Sequence, residues 1–519
     1  MSTPRILMIA AENDSLPGAK VGGVADVLRD LPSALIKKSC AVDTVIPSYG
    51  MLAKLADLEV VGQCEVWFAG RLEPVTVLKR AGKKYHADTY ILDSPLFSPQ
   101  GERVYCHDGD GRPFATDATK FALFSASVAT ALVSGLIPKP DILHCHDWHS
   151  AILLVLIRFA PDFSVLQSIR TIYSVHNLAM QGVRPFSGDA SSFEAWFPGL
   201  HVDASQLSDP AAPHCINPMR AGVNLADKVH TVSSSYAKEI LLESDLAKGV
   251  YGGEGLQEDL RRRAEDADLV GILNGCEYPR VKQTTKPTKS TVIKALSRAV
   301  VQTATNSQEL LSVHWIADKR LQSWAAKKKP GMMLTSVGRI TDQKASLYTT
   351  EVSPGVTALS ALLKSLGSHG VFVMIGSGNK LYEQALIEES AKHENFIFIN
   401  GFAAEAADLL YRAGDLFVMP SSFEPCGISQ LLAMRAGQPC LVNRVGGLRD
   451  TVVPNKTGFA FEGSDKNEQA KAMVVAFEEA LRVFTESEDV WERLCKAAAK
   501  ARFTWAKSVD AYMTELYEI

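Results

Sequence analysis

The stretch Pro420-Ser-Ser-Phe-Glu424-Pro-Cys-Gly427-Ile-Ser429 follows a short apolar run, Leu416 to Met419, and leads into a helix-like apolar run, Leu431 to Ala436. A carboxylate on a strand-to-helix turn lies where open α/β sheets collect their ligands, outside the carboxyl ends of the strands. Glu424 is therefore expected to face a cleft, with Gly427 letting the backbone approach a ligand and the N–H groups of the following helix offering an anion site. A carboxylate for hydroxyls beside amides for phosphate suits a sugar nucleotide. A helix cap followed by a tight turn is the structural alternative, and Cys426 reads as a small buried thiol.

Three further groups carry charge or ring nitrogens at strand ends or a helix start. Gly338-Arg339-Ile-Thr-Asp-Gln-Lys344 sets two cations on a loop after a strand, where they would stabilise the charge on a departing phosphate. A chance surface pair is the alternative. Lys20 directly precedes Gly22-Gly23, so a cation and free helix-start amides are expected to converge on a diphosphate, unless the lysine is merely solvated. His144-Cys-His146-Asp147-Trp-His149 ends another strand. His144 and His146 share one face of an extended chain and could ligate a metal, but no further acidic or histidine pair nearby completes a set. The preferred reading is a polar wall in which Asp147 and Trp148 meet sugar, with His176 of Ser174-Val-His176-Asn177 beside it.

Other patterns are incomplete. Gly376-Ser-Gly378 follows a strand, yet Leu381 stands where a dinucleotide fingerprint needs glycine. Asp108-Gly-Asp110-Gly-Arg112 puts an arginine at the third ligand position of a calcium loop and reads as a polar turn. Val21-Gly-Gly-Val-Ala-Asp-Val27 is echoed by Val445-Gly-Gly-Leu-Arg-Asp-Thr451, either as two glycine turns closing on one phosphorylated ligand or as independent helix starts.

The elements that must position these groups alternate short β-rich runs with helical patterns, the mark of a parallel sheet covered on both faces. Strands are expected at Ile6–Ala10, Ala41–Ile46, Asp141–His144, Thr171–Val175, Lys228–Val232 and Val270–Leu273, with helices at Val24–Lys38, Thr119–Ser134 and Ser235–Glu243. The pattern weakens through Pro279 and the polar stretch Lys282–Lys289, a linker or domain edge, and residues 280–330 are the least readable. Lys327-Lys-Lys329 reads as a solvated helix end. Alternation resumes at Met333–Val337, Val371–Ile375, Phe396–Ile399, Leu416–Met419 and Cys440–Asn443, which makes a second doubly wound sheet.

Composition narrows the field. A chain of 519 residues exceeds one core and implies two or three domains. A net charge of -4 supplies no general field for nucleic acid or an anionic membrane, so an anion must be met by local groups. Nine cysteines, an odd number without a C-x-x-C pair, argue against a disulfide framework and for a reducing cytoplasm. Arg5-Ile-Leu-Met-Ile-Ala-Ala reads as a buried strand rather than a signal segment, and the apolar run Ala151–Ile157 falls far short of the roughly 20 residues of a spanning helix.

Taken together, Lys20-Val-Gly-Gly-Val-Ala-Asp26, His146-Asp-Trp-His149, Val175-His-Asn-Leu178, Gly271-Ile-Leu-Asn-Gly275, Arg339 with Gln343-Lys344, Phe423-Glu-Pro-Cys-Gly427 and Gly446-Gly-Leu-Arg-Asp-Thr451 resemble the bacterial glycogen synthase and plant starch synthase family. The resemblance covers most of the chain in order and spacing. It implies an α/β protein of two facing Rossmann-like domains, the GT-B fold, with a deep interdomain cleft and a C-terminal helix crossing back to the first domain. The implied boundaries are 1–275 for the acceptor domain, 276–500 for the donor domain and 501–519 for the returning helix.

The implied activity is retaining transfer of glucose from ADP-glucose to the non-reducing end of an α-1,4-glucan. UDP-glucose as donor, a glucan-binding homologue without turnover and a pyridoxal phosphate-dependent phosphorylase are the alternatives. By motif, Arg339 and Lys344 would hold the diphosphate as it leaves, Gly427, Ile428 and Ser429 would give it amides, and Lys20, Gly22 and Gly23 would approach it from the other domain. Glu424 would bind the donor glucose hydroxyls without acting as a nucleophile, His176 and Asp147 would line the same sugar, and Phe402 would stack on the base. No cofactor or metal is implied, and the expected partners are the nucleotide sugar and the glucan. Val21, Ala345 and Asn379 depart from the family's usual Thr, Gly and acidic residue, and the chain after Lys344 up to Pro354 fits poorly.

Overall fold

The computed structural model describes residues 3–109, 111–278, 286–307, 311–327 and 331–519. Pro279, the start of the expected linker at 282–285, Lys328 and Lys329 of the lysine triplet, and Asp110 lie outside the described residues. The chain divides into two compact units, Met1–Glu243 with Gly252–Glu277 and Thr504–Ile519, and Ser244–Tyr251 with Tyr278–Phe503. Among the described residues no helix is long and apolar enough to cross a membrane.

The strands of the first unit are β1 (Arg5–Ile9), β2 (Ala41–Pro47), β3 (Glu59–Phe68), β4 (Arg71–Arg80), β5 (Asp88–Asp93), β6 (Ile142–His146), β7 (Arg170–Val175), β8 (Arg184–Pro185), β9 (Cys215–Ile216), β10 (Lys228–Thr231) and β11 (Leu269–Gly271). Nine of them form one sheet in the order β11-β10-β7-β6-β1-β2-β5-β4-β3, and β8 pairs with β9 apart from it. From β11 to β5 the pairing is parallel; β5-β4 and β4-β3 are antiparallel. Sequence order reverses at β1, which lies between β2 and β6, so the loops after β1 and β6 meet at a topological switch point.

Period-two alternation sends each strand to two cores. Leu7 and Ile9 of β1 join the core on one face, while Ile6 and Met8 join the other. Helix α1 (Gly23–Ile36) covers the second face with Val27, Leu28, Leu31 and Leu35, apolar at helical spacing. Helices α2 (Ala115–Val133) and α3 (Trp148–Phe159) cover the first. The second face is completed by Trp505, Val509, Tyr512, Leu516 and Tyr517, from the helical turns Trp505–Ala511 and Tyr512–Tyr517. Gly275 makes their docking possible, because a Cβ there would stand 2.4 Å from the Trp505 nitrogen.

The second unit contains β12 (Met332–Val337), β13 (Glu351–Ser353), β14 (Val356–Thr357), β15 (Gly370–Gly376), β16 (Phe396–Asn400), β17 (Leu416–Met419), β18 (Cys440–Asn443) and β19 (Gly458–Phe461). Its main sheet is parallel, in the order β16-β15-β12-β17-β18-β19. Counted from β12 this is 3-2-1-4-5-6, the order of dinucleotide-binding sheets, with its switch point between β12 and β17. Leu334, Phe372 and Val418 face one core and Met333, Val371 and Val373 another, again by alternation.

Several elements differ from the sequence expectation. β6 runs to His146, so Asp147 and not His144 stands past the strand end. The antiparallel edge β3–β5 was not expected, nor were β19 and the helices Lys289–Asn306 and Ser312–Ala326 in the poorly readable stretch. After Lys344, the ill-fitting segment is a helix, Asp342–Thr349, followed by the hairpin of β13 and β14.

Candidate active site

In the second unit the switch point brings two loops side by side. The loop after β12 carries Arg339 and enters the helix Asp342–Thr349, with Lys344 in its first turn. The loop after β17 carries Glu424 and enters the helix Ser429–Arg435. Backbone pairing ties them: Ser422 N–H donates to the Gln343 carbonyl at 2.8 Å, and Gln343 Nε2 donates to the Phe423 carbonyl at 2.9 Å. Across this seam Lys344 Nζ meets Glu424 Oε2 at 2.6 Å, and Ser421 Oγ donates to the same oxygen at 2.9 Å. Glu424 is buried, Lys344 half-buried and Arg339 exposed. Gly338, Arg339, Lys344, Pro420 and Ser421 line a pocket at this edge of the sheet.

The glycine of the β17 loop and the glycine pair after β18 answer to close approaches. Gly427 sits at φ +73°, and a Cβ on it would come within 2.5 Å of Gln430 Oε1. Gln430 Nε2 in turn donates to the Cys426 and Gly427 carbonyls, each at 3.0 Å, which fixes the turn before Ile428 and Ser429. Of the echoed glycine pairs, the second packs on this turn: Gly446 has φ +41°, and its Cβ would lie 2.0 Å from the Glu424 carbonyl. Gly447 N–H donates to that carbonyl at 3.0 Å. Phe402, after β16, is 74 % exposed. Asn379 caps the helix Lys380–Lys392 through Oδ1, the task an acidic residue would perform there.

A short segment, Ser244–Tyr251, also belongs to this unit. Tyr251 stacks on Phe423 with centroids 4.3 Å apart and donates its hydroxyl to Asp342 Oδ2 at 2.7 Å. It therefore touches both loops.

In the first unit the glycine turn differs from expectation. Its amides are not all free: Val21 N–H donates to Glu12 Oε2 at 2.7 Å and Gly22 N–H donates to the same oxygen. Tyr105 donates to the other carboxylate oxygen at 2.7 Å. Lys20 is held by Asp26 at 2.7 Å and Asp14 at 3.1 Å. Burial works to lower its pKa, but the two carboxylates outweigh burial and leave it raised. Gly23 opens α1 without a side-chain cap. A lone carboxylate directly after the apolar β1 was the sequence signal for Glu12.

Asp147 follows β6 at φ +53°, a left-handed conformation for a residue with a side chain, at the switch point of this sheet. Its Oδ1 accepts the His176 N–H at 2.8 Å, which joins the ends of β6 and β7. Burial raises its carboxyl to about 7 against the pull of that hydrogen bond. His146 Nδ1 lies 2.9 Å from His176 Nε2. His144 stacks on His146 at 4.2 Å and bonds Tyr517 and Ser174. Burial lowers His176 to about 4 and His144 and His146 well below the usual histidine range, so the rings are neutral at pH 7. Asp147 and His176 are thus adjacent, within a wall of neutral rings. Among the described residues no group of three or more His, Cys, Asp or Glu is placed to hold a metal. Asp108, in the incomplete calcium pattern, instead accepts from Thr116 N–H and Oγ1 at 2.8 and 2.6 Å at the start of α2.

The family model described as starch synthase catalytic domain matches residues 5–262, and the model for glycosyl transferases group 1 matches residues 318–487. A glycogen synthase of Aliivibrio fischeri is 29 % identical over 532 residues, covering 99 % of this chain and 98 % of the relative. A glycogen synthase of Desulfitobacterium hafniense is 29 % identical over 521 residues, covering 98 % of both. The catalytic domain of starch synthase IV from Arabidopsis thaliana, solved with ADP and acarbose, superposes with a TM-score of 0.75 at 25 % identity over 99 % of both chains. Sucrose-phosphate synthase of Thermosynechococcus elongatus, at 18 % identity and a TM-score of 0.53 over 99 % of this chain and 98 % of that one, shares the fold. With each half matched by a family model and its whole length aligned to such relatives, the chain belongs to the glycogen and starch synthase family of glycosyltransferases, with their GT-B fold of two Rossmann-like units.

Proposed function

We propose that the protein transfers glucose from ADP-glucose to the non-reducing end of an α-1,4-glucan, with retained anomeric configuration, in the cytoplasm. The observation that carries the reading is the Lys344–Glu424 pair beside Arg339 at the switch point of the second sheet. Cations and a carboxylate converge there as a sugar diphosphate requires. That a related starch synthase was solved with ADP favours ADP-glucose over UDP-glucose.

In this reading Arg339 and Lys344 hold the diphosphate and stabilise its charge as it departs, with the amides of Gly427, Ile428 and Ser429 adding donors. Glu424, held by Ser421, orients the glucose hydroxyls, and Phe402 stacks on the base. In the first unit Lys20 and Gly23 bind the diphosphate, while Gly22, whose N–H is engaged by Glu12, contributes by lacking a side chain. Asp147 and His176 bind the sugar. The acceptor hydroxyl arrives on the face the phosphate leaves, through an oxocarbenium-like state without a sugar bound covalently to Glu424. Residues 1–275 take the acceptor and residues 276–500 the donor, with 501–519 returning to the first domain.

The test is parallel incubation of the protein and glycogen with ADP-glucose and UDP-glucose, measuring glucose incorporated and nucleotide released. Faster incorporation from ADP-glucose, into chains that an α-1,4-specific exo-hydrolase removes, is expected. Incorporation from neither donor overturns the reading in favour of a binding protein.

A further inference from the structure

His146 ends β6 with its ring buried, 1 % exposed, between the stacked His144 and the neighbouring His176. The 2.9 Å contact between His146 Nδ1 and His176 Nε2 requires one of these nitrogens to carry a hydrogen and the other a lone pair. Which one is decided at the far side of His146. Its Nε2 is buried and meets no hydrogen-bonding group among the described residues. A proton on that atom would be a buried N–H without an acceptor, the rarer and costlier kind of orphan; a lone pair there is tolerated more easily. The proton of His146 therefore belongs on Nδ1, donated to His176. His144 cannot reverse this, because both of its nitrogens are engaged, by Tyr517 Oη at 2.8 Å and Ser174 Oγ at 2.6 Å. His176, accepting at Nε2, must carry its own proton on Nδ1. Its main chain is fixed independently by the N–H bond to Asp147.

We infer that His146 is a positioning residue that sets the tautomer of His176, so that His176 meets its ligand as a hydrogen-bond donor through Nδ1–H and selects an acceptor oxygen such as a sugar hydroxyl. The inference deepens the proposed function, since it rests on His176 lining the sugar site. It assigns a task to the first histidine of the His146-Asp-Trp-His149 motif, one it performs through His176. The neighbouring rings share the work: stacking by His144 holds the plane of His146, and burial keeps the ring neutral, so that it has one proton to give.

Protein labelled with ¹⁵N-histidine reports the tautomer directly in long-range ¹H–¹⁵N correlation spectra, with His176 identified by the signals lost in His176→Asn. His176 is expected to be protonated at Nδ1 and bare at Nε2. In His146→Leu the preference should be lost and kcat/KM for glucose transfer should fall by at least about 10-fold. In His146→Asn, whose amide N–H can stand where the Nδ1–H stood, tautomer and most of the rate should return. A wild-type His176 protonated at Nε2 overturns the inference, as does an Asn variant no better than the Leu variant. If His146→Leu fails to fold, the wild-type spectrum and the Asn variant still decide. Should the wild type carry the Nδ1 proton yet transfer no glucose from either donor, the proposed function fails and the tautomer assignment stands.

Discussion

Lys344 Nζ lies 2.6 Å from Glu424 Oε2, across 80 residues of sequence. The two partners are not equivalent: the Glu424 side chain is 8 % exposed and that of Lys344 24 %. Removing Glu424 leaves a lysine that can reach water, whereas removing Lys344 leaves a buried carboxylate whose remaining side-chain support among the described residues is Ser421. Glu424→Ala should melt close to the wild type and Lys344→Ala somewhat lower, while each lowers glucose transfer by at least about 10²-fold. Thermal unfolding alongside glucose incorporation checks both. Near-normal transfer in either variant would remove the pair from the site.

Gly446 is constrained by its conformation and by space. Its φ of +41° disfavours a side chain, and a Cβ would press on the Glu424 carbonyl, which is backbone and cannot rotate away. Gly446→Ala is expected to cost more than the roughly 1 kcal/mol of a simple glycine replacement, and to weaken donor binding by moving Glu424. A rise in donor KM with a lowered melting temperature is the expected pair of results; an unchanged KM would show that the loop absorbs the clash.

Lys20 separates structural from chemical work. Its side chain is 45 % exposed, and exposed ion pairs contribute about 0–1 kcal/mol, so Lys20→Ala should barely change stability. If Lys20 binds phosphate, transfer should nevertheless fall by about 10-fold or more. Equal activity with reduced stability would reverse the assignment.

Acid should unfold the protein earlier than neutral pH. Burial is the leading cause that holds His144 and His146 well below the ordinary range, His176 at about 4, and His149 and His230 at about 3. In the unfolded chain they titrate near about 6.5. As pH falls from about 6.5 towards 4, the unfolded state takes up protons the folded state refuses, and each histidine forfeits up to about 1.4 kcal/mol per pH unit. Asp147 opposes them, because its raised carboxyl, about 7, lets the folded state keep a proton that the unfolded chain releases. Melting temperature should therefore drop between pH 6.5 and 4.5, and more steeply in Asp147→Asn. A flat profile would contradict the neutral histidine wall.

Parallel strands were the legible part of the fold because strands buried on both faces are nearly continuous apolar runs; Leu416–Met419 and Cys440–Asn443 carry the bounds expected of them. The antiparallel strands β3 and β4 were not legible, since they expose residues such as Val60, Trp67 and Leu72 and break the apolar run with polar ones. At the site, residue types at strand ends identified Arg339, Lys344 and Glu424 as candidates. Their convergence depends on β12 lying beside β17, a matter of sheet order that spacing does not encode. Glu12 occupying the Val21 and Gly22 amides, and His146 facing His176, depend on a loop path and on the β6–β7 register, where His146 pairs with Ser174.

The docking of Trp505, Val509, Tyr512, Leu516 and Tyr517 onto Ile6, Met8 and Val42 sets a timetable for synthesis. One face of β1 stays uncovered by these partners until residues 505–517 have been translated, after the entire sequence of the second unit. A nascent chain must carry that apolar face in waiting while the second unit folds, and this is the interval in which chaperone binding or aggregation competes with completion of the first unit.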